Sequence, residues 1–312
     1  MPAIRTEGLQ KVFGAVHALD GLTLTVEPGV VFGFLGPNGA GKTTTIRLLT
    51  GLARPTGGRA WVADVEIGAD RQQFASRIGH LPEEPAFYPW MTPREFLDYV
   101  GRVFGLPARE RAARVKELLD LAGLAEVGKR RIGGFSRGMR QRLGLAQALV
   151  NRPEVLFLDE PVSALDPAGR KEVLELIERL RGQATVFMST HILADVERVC
   201  DTVGIIARGR LVIEAAQSDL LTRYAVPAFE VEFDAGSEEQ VGRWTAALRE
   251  RKWVTGVTTA GLTARVVVSD VEIAKRELVA SAMQAGLILT RYEMVKPSLE
   301  DVFLRLVGEG GE

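Results

Sequence analysis

The chain contains the stretch Gly36-Pro37-Asn38-Gly39-Ala40-Gly41-Lys42-Thr43, which matches the phosphate-binding pattern G-x-x-x-x-G-K-[ST] at every fixed position. The residues before it, Val30 to Leu35, have the composition of a buried strand, and Thr44 to Thr50 after it read as a helix. A glycine-rich turn between a strand and a helix directs backbone N–H groups and the positive helix end toward one centre. The stretch therefore predicts a site for the phosphates of a nucleotide.

The same stretch supplies side chains that suit a nucleotide and its metal ion. Lys42 provides a mobile positive charge for the β- and γ-phosphates, and the hydroxyl of Thr43 is placed to bind Mg²⁺. A turn that only opens a helix has no need of Lys-Thr at this position. We expect the nucleotide to contact the loop and the residue after it: Gly36, Pro37, Asn38, Gly39, Ala40, Gly41, Lys42, Thr43 and Thr44.

The composition is that of an ordinary globular protein, with 46% hydrophobic and 25% charged residues. The 39 basic and 40 acidic residues leave a net charge of −1, so charge gives no indication of nucleic-acid binding. The single cysteine, Cys200, excludes an internal disulfide and fits a reducing cytoplasm. No apolar run of the sequence approaches the roughly 18 residues that a membrane span needs, so a membrane role requires a partner.

Residues 4–213 mix short strands with longer helices. Near-continuous apolar runs suit strands covered on both faces, as in a parallel sheet: Val30 to Leu35, Val155 to Leu158, Thr185 to Met188 and Val203 to Ile206. Between the phosphate loop and the second run, residues 84–151 have helical periodicity with charged faces. We therefore expect an α/β domain over residues 1–223 that includes a helical subdomain at about 84–151.

The pattern of predicted strands and helices changes near Tyr224-Ala225-Val226-Pro227, where we place a domain boundary. Residues 224–312 predict the order β-α-β-β-α-β, which is typical of a small ferredoxin-like α+β module. A final helix is expected over Leu299 to Val307, started by Pro297-Ser298 with Asp301 as a capping acid.

An apolar strand that ends in two carboxylates, Val155 to Glu160, complements the phosphate loop. In a parallel sheet this strand carries Asp159 to the carboxyl edge, beside the loop. There Asp159 can hold Mg²⁺ through water, and Glu160 can orient or polarise an attacking water. Acidic residues often follow a strand, so the interpretation of Asp159 and Glu160 as site residues depends on the phosphate loop.

The segment Phe135-Ser136-Arg137-Gly138-Met139 opens a helix, and by itself it is a capped helix start with Ser136 as the N-cap. In its place between the phosphate loop and the carboxylate strand, it resembles the signature loop of ATP-binding cassette (ABC) proteins, usually written Leu-Ser-Gly-Gly-Gln. It keeps the serine and the second glycine, Ser136 and Gly138. The resemblance implies a P-loop NTPase domain of the ABC ATPase type that binds ATP and Mg²⁺ and hydrolyses ATP.

Further segments follow in the order that the ABC family shows, and the resemblance implies their roles. Ser163-Ala164-Leu165-Asp166 resembles the loop that crosses the dimer interface, and Ser189-Thr190-His191 resembles the segment whose histidine contacts the γ-phosphate and Glu160. Phe13 stands where the family places an aromatic residue that stacks on adenine; an ordinary core phenylalanine is the alternative. Glu83 stands where a glutamine normally reaches Mg²⁺, and a carboxylate is also a hard oxygen ligand.

In ABC proteins the phosphate loop and the signature loop of one chain face different active sites. The resemblance thus implies a homodimer that sandwiches two ATP molecules. One copy supplies Lys42, Thr43, Asp159, Glu160 and His191, and the other closes the site with Ser136 and Gly138.

The tail Pro297-Ser298-Leu299-Glu300-Asp301-Val302-Phe303 and the form Phe-Ser-Arg-Gly-Met-Arg-Gln of the signature are similar to one ABC subfamily. It comprises exporter ATPase subunits of antibiotic-resistance and sodium-export systems. The similarity implies an integral membrane permease as partner, no nucleic acid, and a location in the cytoplasm at the inner face of the cell membrane. Phe87, Tyr88, Pro89 and Trp90 are candidates for the docking surface, or equally for an aromatic cluster that fills the helical block.

A second hypothesis from a different class is a soluble ABC ATPase that acts in translation or DNA repair without a permease. Such proteins usually carry two cassettes in one chain or a long coiled-coil insertion, and this sequence has neither. A phosphotransferase with the same loop is a third possibility, which leaves the signature segment and His191 unexplained.

Overall fold

The computed structural model describes residues 1–163, 165–223, 227–234, 238–295, 299 and 303. The chain divides into two compact units, Met1–Gln217 and Ser218–Glu312. This division lies before the expected boundary at residues 223/224, because a helix that the sequence did not indicate, Gln217–Arg223, begins at the division. Tyr224, Ala225 and Val226, where the sequence places the boundary, lie outside the described residues.

The strands of the first unit form two sheets. They are β1 (Ile4–Phe13), β2 (Val16–Val26), β3 (Val31–Leu35), β4 (Gly57–Val62), β5 (Val65–Glu66), β6 (Ile78–Leu81), β7 (Val155–Asp159), β8 (Thr185–Thr190), β9 (Thr202–Ala207) and β10 (Arg210–Ala216). An antiparallel sheet has the order β2-β1-β4-β5, and a larger sheet has the order β10-β9-β3-β8-β7-β6. In the larger sheet all pairs from β9 to β6 are parallel, which confirms the parallel sheet predicted from the apolar runs.

The helices of the first unit include the block expected between the phosphate loop and the carboxylate strand. They are α1 (Lys42–Leu49), α2 (Arg71–Arg77), α3 (Pro93–Val103), α4 (Ala108–Leu121), α5 (Arg137–Ala148), α6 (Pro167–Arg179) and α7 (Leu193–Val199), with α8 (Gln217–Arg223) at the division. Helices α3, α4 and α5 contact one another and form the helical block. Helix α3 begins with a capping box, in which Thr92 Oγ1 accepts from Glu95 N and Glu95 Oε2 accepts from Thr92 N.

Phenylalanine side chains fill the core of the first unit, between the two sheets and α1. The ring centroid of Phe187 lies 5.3 Å from that of Phe32 and 5.1 Å from that of Phe34. Phe157 on β7 is 5.8 Å from Phe187 by the same measure. Because these rings come from three adjacent strands and are fully buried, they fix the carboxyl edge of the sheet, where the predicted site lies.

The second unit has the element order that the sequence predicts. Its elements are β11 (Ala228–Phe233), α9 (Glu238–Arg249), β12 (Val254–Ala260), β13 (Thr263–Val268), α10 (Val271–Gln284) and β14 (Leu289–Val295). The strands pair antiparallel in the order β12-β13-β11-β14, and Trp244 on α9 packs into their core. Most of the final helix expected over 299–307, with Pro297, Ser298 and Asp301, lies outside the described residues. In the part of the chain that is described, no helix combines the length and apolar character of a membrane span.

Cys200 follows α7 and is buried against the backbone of β3, since a Cβ atom at Gly33 would lie 2.8 Å from its Sγ. Burial raises the pKa of the Cys200 thiol far above its ordinary value. The thiolate is the reactive form, so we expect no reaction with a thiol-specific chromogenic reagent at pH 8 in the folded protein. The same assay in urea is expected to titrate one thiol per chain. Rapid labelling without denaturant would contradict this packing.

Candidate active site

The phosphate loop lies between β3 and α1, at the carboxyl edge of the parallel sheet. Glycine is required at both ends of the loop. A Cβ atom at Gly36 would lie 2.4 Å from Ile206 O, and one at Gly41 would lie 2.7 Å from Ala18 O. Gly41 also has φ of 112° and is the N-cap of α1 without a side-chain cap, so the first N–H groups of the helix stay available to an anion.

Lys42 is buried beneath the loop, with only 6% of its side chain exposed. Its Nζ donates to Gly36 O at 2.7 Å and to Pro37 O at 3.3 Å. The same ammonium lies 3.3 Å from Glu160 Oε1. These contacts aim the lysine across the loop toward the end of β7.

The end of β7 brings the two predicted carboxylates beside the loop. Thr43 Oγ1 donates to Asp159 Oδ1 at 3.2 Å. Glu160 follows with φ of 47°, a left-handed conformation that costs a residue with a side chain on the order of 1 kcal/mol or more. Its backbone N–H donates to Ser189, with the nitrogen 3.2 Å from Ser189 O and 3.0 Å from Ser189 Oγ. These hydrogen bonds from β8 hold Glu160 in this conformation.

His191 directly follows β8 and contacts the carboxylate of Glu160. Its Nδ1 lies 2.9 Å from Glu160 Oε2, while Lys42 faces the other oxygen. The glutamate side chain is 9% exposed and the histidine side chain 44% exposed. The histidine therefore reaches from a buried carboxylate to the open side of the site.

An ion pair fixes the helix that follows His191 to its neighbour. Asp195 on α7 is 1% exposed, and its Oδ1 lies 2.6 Å from Arg170 Nε on α6. Burial raises the pKa of the Asp195 carboxyl, and the guanidinium of Arg170 opposes that shift. The ion pair therefore joins α7 to α6. Asp166 is the N-cap of α6, since its Oδ1 accepts from Gly169 N at 3.2 Å.

A cavity of about 310 Å³ collects most of the predicted residues. Its lining comprises Val16, His17, Ala18, Asn38, Gly39, Gly41, Lys42, Thr43, Thr44, Glu83, Glu160 and His191. The sequence did not identify His17 as part of the site, since a single histidine on a strand more often has a structural role. His17 lies on β2, and the pairing of β2 with β1 brings this strand beside the phosphate loop.

The other predicted residues lie outside this lining: Phe13, Gly36, Pro37, Ala40, Ser136, Gly138, Asp159 and Asp166. Ser136 caps α5, with its Oγ accepting from Met139 N at 3.2 Å, and Gly138 is the second residue of the same helix. Phe13 is 54% exposed, which excludes the alternative of a core residue. The ammonium of Lys11 lies 4.9 Å from the centre of its ring.

Glu83 follows β6 and lines a second, smaller space as well. This cavity of about 270 Å³ is lined by Glu83, Glu84, Pro85, Arg137, Arg140 and Gln141. Acidic residues after β6 thus share a space with basic residues of the signature segment. The carboxylate at position 83 is placed between the nucleotide cavity and the helical block.

These features define a nucleotide-hydrolysing P-loop protein: a phosphate loop, two carboxylates at the end of a strand and a histidine directly after the neighbouring strand, all at one edge of a parallel sheet. The chain belongs to the ABC transporter family, and it is an ATP-binding, ATP-hydrolysing protein of that family. The sequence model of the family, described as ABC transporter, matches residues 19–163.

Curated relatives and solved structures agree with this membership. A Synechocystis protein described as an uncharacterized ABC transporter ATP-binding protein, sll0415, is 41% identical over 299 residues, covering 95% of this chain and 80% of the relative. The daunorubicin resistance ATP-binding protein DrrA3 of Streptomyces coeruleorubidus is 37% identical over 311 residues, covering 98% of this chain and 96% of the relative. A solved ATP-binding subunit of an ABC transporter superposes with a TM-score of 0.65 at 28% identity, covering 71% of this chain and 93% of that one. None of this favours translation or DNA repair.

Proposed function

We propose that this chain binds Mg-ATP between two copies of itself and that hydrolysis drives a separate membrane permease of the export type. The observation that carries the proposal is the incomplete set of groups around the cavity. Lys42, Thr43, Glu160 and His191 line it, whereas Ser136 and the start of α5 do not. In this proposal a second copy of the chain supplies these groups, Ser136 and the first turn of its α5.

The donor set at the end of β7 fits Mg²⁺. Thr43 Oγ1 and Asp159 Oδ1 are hard oxygen donors 3.2 Å apart. Mg²⁺ prefers hard oxygen donors of this kind, so Thr43 would bind the ion and Asp159 would hold it through a water molecule. Glu83 adds a third oxygen donor on the cavity wall. When bound, the ion would neutralise phosphate charge; the protein residues hold and orient the reactants.

The residues around Glu160 suit it for accepting a proton from water. Lys42 and His191 each hold one of its carboxylate oxygens, which fixes the direction of the side chain. Lys42 also places a positive charge beside the loop that receives the phosphates. In this proposal His191 contacts the γ-phosphate and steadies Glu160, while the exposed ring of Phe13 stacks on the adenine.

The signature segment and Asp166 belong, in this proposal, to the interface between copies. Ser136 and Gly138 stand at the start of a twelve-residue helix, where backbone N–H groups and the helix dipole favour an anion. They would close over the γ-phosphate bound to the other copy. ATP then joins the two chains, and loss of the γ-phosphate after hydrolysis releases them.

Similarity to a resistance protein along nearly the whole chain supports the export assignment. The helical block offers an apolar surface for the permease. Trp90 is 63% exposed and Tyr88 41% exposed, and their ring centroids are 5.2 Å apart. Phe87 instead packs edge-on against the buried Phe96, so this member of the cluster fills the block. Such a complex would hold the chain at the cytoplasmic face of the cell membrane.

We expect the tagged full-length chain to co-purify from detergent-solubilised membranes with an integral membrane protein in a fixed ratio. Replacing Trp90 by Ala is expected to reduce that recovery at least tenfold, because an exposed aromatic anchor can contribute about 2 kcal/mol or more to an interface, which is about 30-fold in affinity. The substitution Met283→Ala, which removes a side chain that is 67% exposed on the second unit, is the control for loss of an exposed apolar side chain. Recovery of ribosomes or DNA in place of a membrane protein would contradict the proposal.

A further inference from the structure

Ser189 lies on β8 directly beside the end of β7, and its side chain is fully buried. Its Oγ lies 2.7 Å from Asp159 Oδ1 and 3.0 Å from the backbone nitrogen of Glu160. One hydroxyl therefore contacts both carboxylate residues of the site.

The chemistry of the three groups fixes the direction of both hydrogen bonds. The backbone N–H of Glu160 can only donate, so Ser189 Oγ accepts from it. The single proton of the hydroxyl is then available to Asp159 Oδ1, which is an acceptor in its ionised form. A charged acceptor makes this the stronger of the two bonds.

Both bonds act on features that the proposed reaction needs. Asp159 Oδ1 is the oxygen that also accepts from Thr43 Oγ1, so the serine fixes the carboxylate rotamer that faces Thr43. Glu160 has a left-handed backbone, and its N–H is held by the side chain and the carbonyl of Ser189. Without the hydroxyl, the N–H of Glu160 would keep only the longer of its two hydrogen bonds, the one of 3.2 Å to Ser189 O.

We propose that Ser189 is a positioning residue that couples the orientation of the Mg²⁺-binding carboxylate, Asp159, to that of the proton-accepting Glu160. The inference rests on the proposed function of these two residues. In this role Ser189 acts through Asp159, the last residue of β7, and through Glu160, which follows it.

The test is Ser189→Ala in the full-length chain. We expect kcat for ATP hydrolysis to fall about tenfold, which corresponds to the loss of one hydrogen bond to a charged group. A binding measurement should change too: in titrations with ADP, the gain in affinity on adding Mg²⁺ should shrink for the variant. Affinity for ADP in EDTA should stay at the wild-type value, because the phosphate loop is untouched.

The matched control is Thr185→Val, at the opposite end of the same strand. Thr185 is 3% exposed, and its Oγ1 accepts from Gly29 N at 2.9 Å, so this variant also removes a buried hydroxyl. We expect it to lower thermal stability without changing kcat or the effect of Mg²⁺. Ser189→Cys serves if the alanine variant does not fold, because a thiol fills the site but donates weakly; it should show the same two losses.

Wild-type kcat together with a wild-type Mg²⁺ effect in Ser189→Ala would overturn the inference. Equal losses in Thr185→Val would also overturn it, since general destabilisation would then explain both. A wild-type protein that hydrolyses no ATP in Mg²⁺ would instead contradict the proposed function, so the two failures are distinguishable.

Discussion

Replacing Glu160 by glutamine is expected to lower the rate of ATP hydrolysis by about 10²–10⁴-fold, the usual contribution of a general base. The amide has nearly the same shape, and the backbone bonds from Glu160 N to Ser189 do not depend on the side chain. It cannot accept a proton from water, however. Phosphate release at saturating Mg-ATP measures the loss, and calorimetry should show that ATP still binds as tightly as to the wild type.

A control for this substitution lies at the other end of β7. Glu154 directly precedes β7, and its side chain is 59% exposed and forms an ion pair with Arg77 at 3.5 Å. Glu154→Gln makes the same chemical change far from the cavity and should leave the turnover rate unchanged. Turnover near the wild-type value in Glu160→Gln would show that another group accepts the proton.

Replacing Lys42 by alanine is expected to weaken ATP binding by about two orders of magnitude. Lys42 lines the cavity beside the phosphate loop, where its ammonium can pair with phosphate oxygens, and bonds to charged groups contribute about 1.5–3 kcal/mol each. The substitution also leaves Glu160 without the cation 3.3 Å from its Oε1, which adds to the repulsion of an anionic ligand.

Calorimetric titration with ATP measures this effect, with circular dichroism as a check of folding. Lys171→Ala is the control, because that lysine is 67% exposed on α6 and its ion-pair partner is Glu175, on the same helix. It should bind ATP like the wild type. Unchanged affinity in Lys42→Ala would contradict the assignment of the phosphate loop.

Sequence alone predicts the parts of this fold whose physical signal is local. The buried strands β3, β7, β8 and β9 are continuous apolar runs, and the phosphate loop is a fixed pattern of glycines with Lys-Thr. The sequence did not indicate β1, β4 or β6. Strand β1 mixes buried and exposed residues irregularly, because register shifts interrupt its pairing with β2, and β6 has only four residues.

The parts of the site that sequence could not supply depend on tertiary contacts. The left-handed backbone of Glu160 exists because β8 holds its N–H, and nothing in the residues Asp159-Glu160 signals it. The hydroxyl of Ser189 acquires its role only through the register of β7 with β8. His17 enters the cavity through the pairing of β1 and β2. Each of these features joins segments distant along the chain.

The central claim is that the active site is shared between two copies of the chain. Ser136 and Gly138 start α5 outside the lining of the cavity that holds Lys42 and Glu160, so a single copy presents an incomplete site. A protein that binds ATP without hydrolysing it should accumulate in the closed, paired form. The Glu160→Gln variant provides such a protein.

The most direct measurement is the molar mass of Glu160→Gln by light scattering, with and without Mg-ATP. We predict a monomer of 34.0 kDa without nucleotide and twice that mass with saturating Mg-ATP. A monomer that persists at concentrations where calorimetry shows ATP fully bound would contradict the shared site.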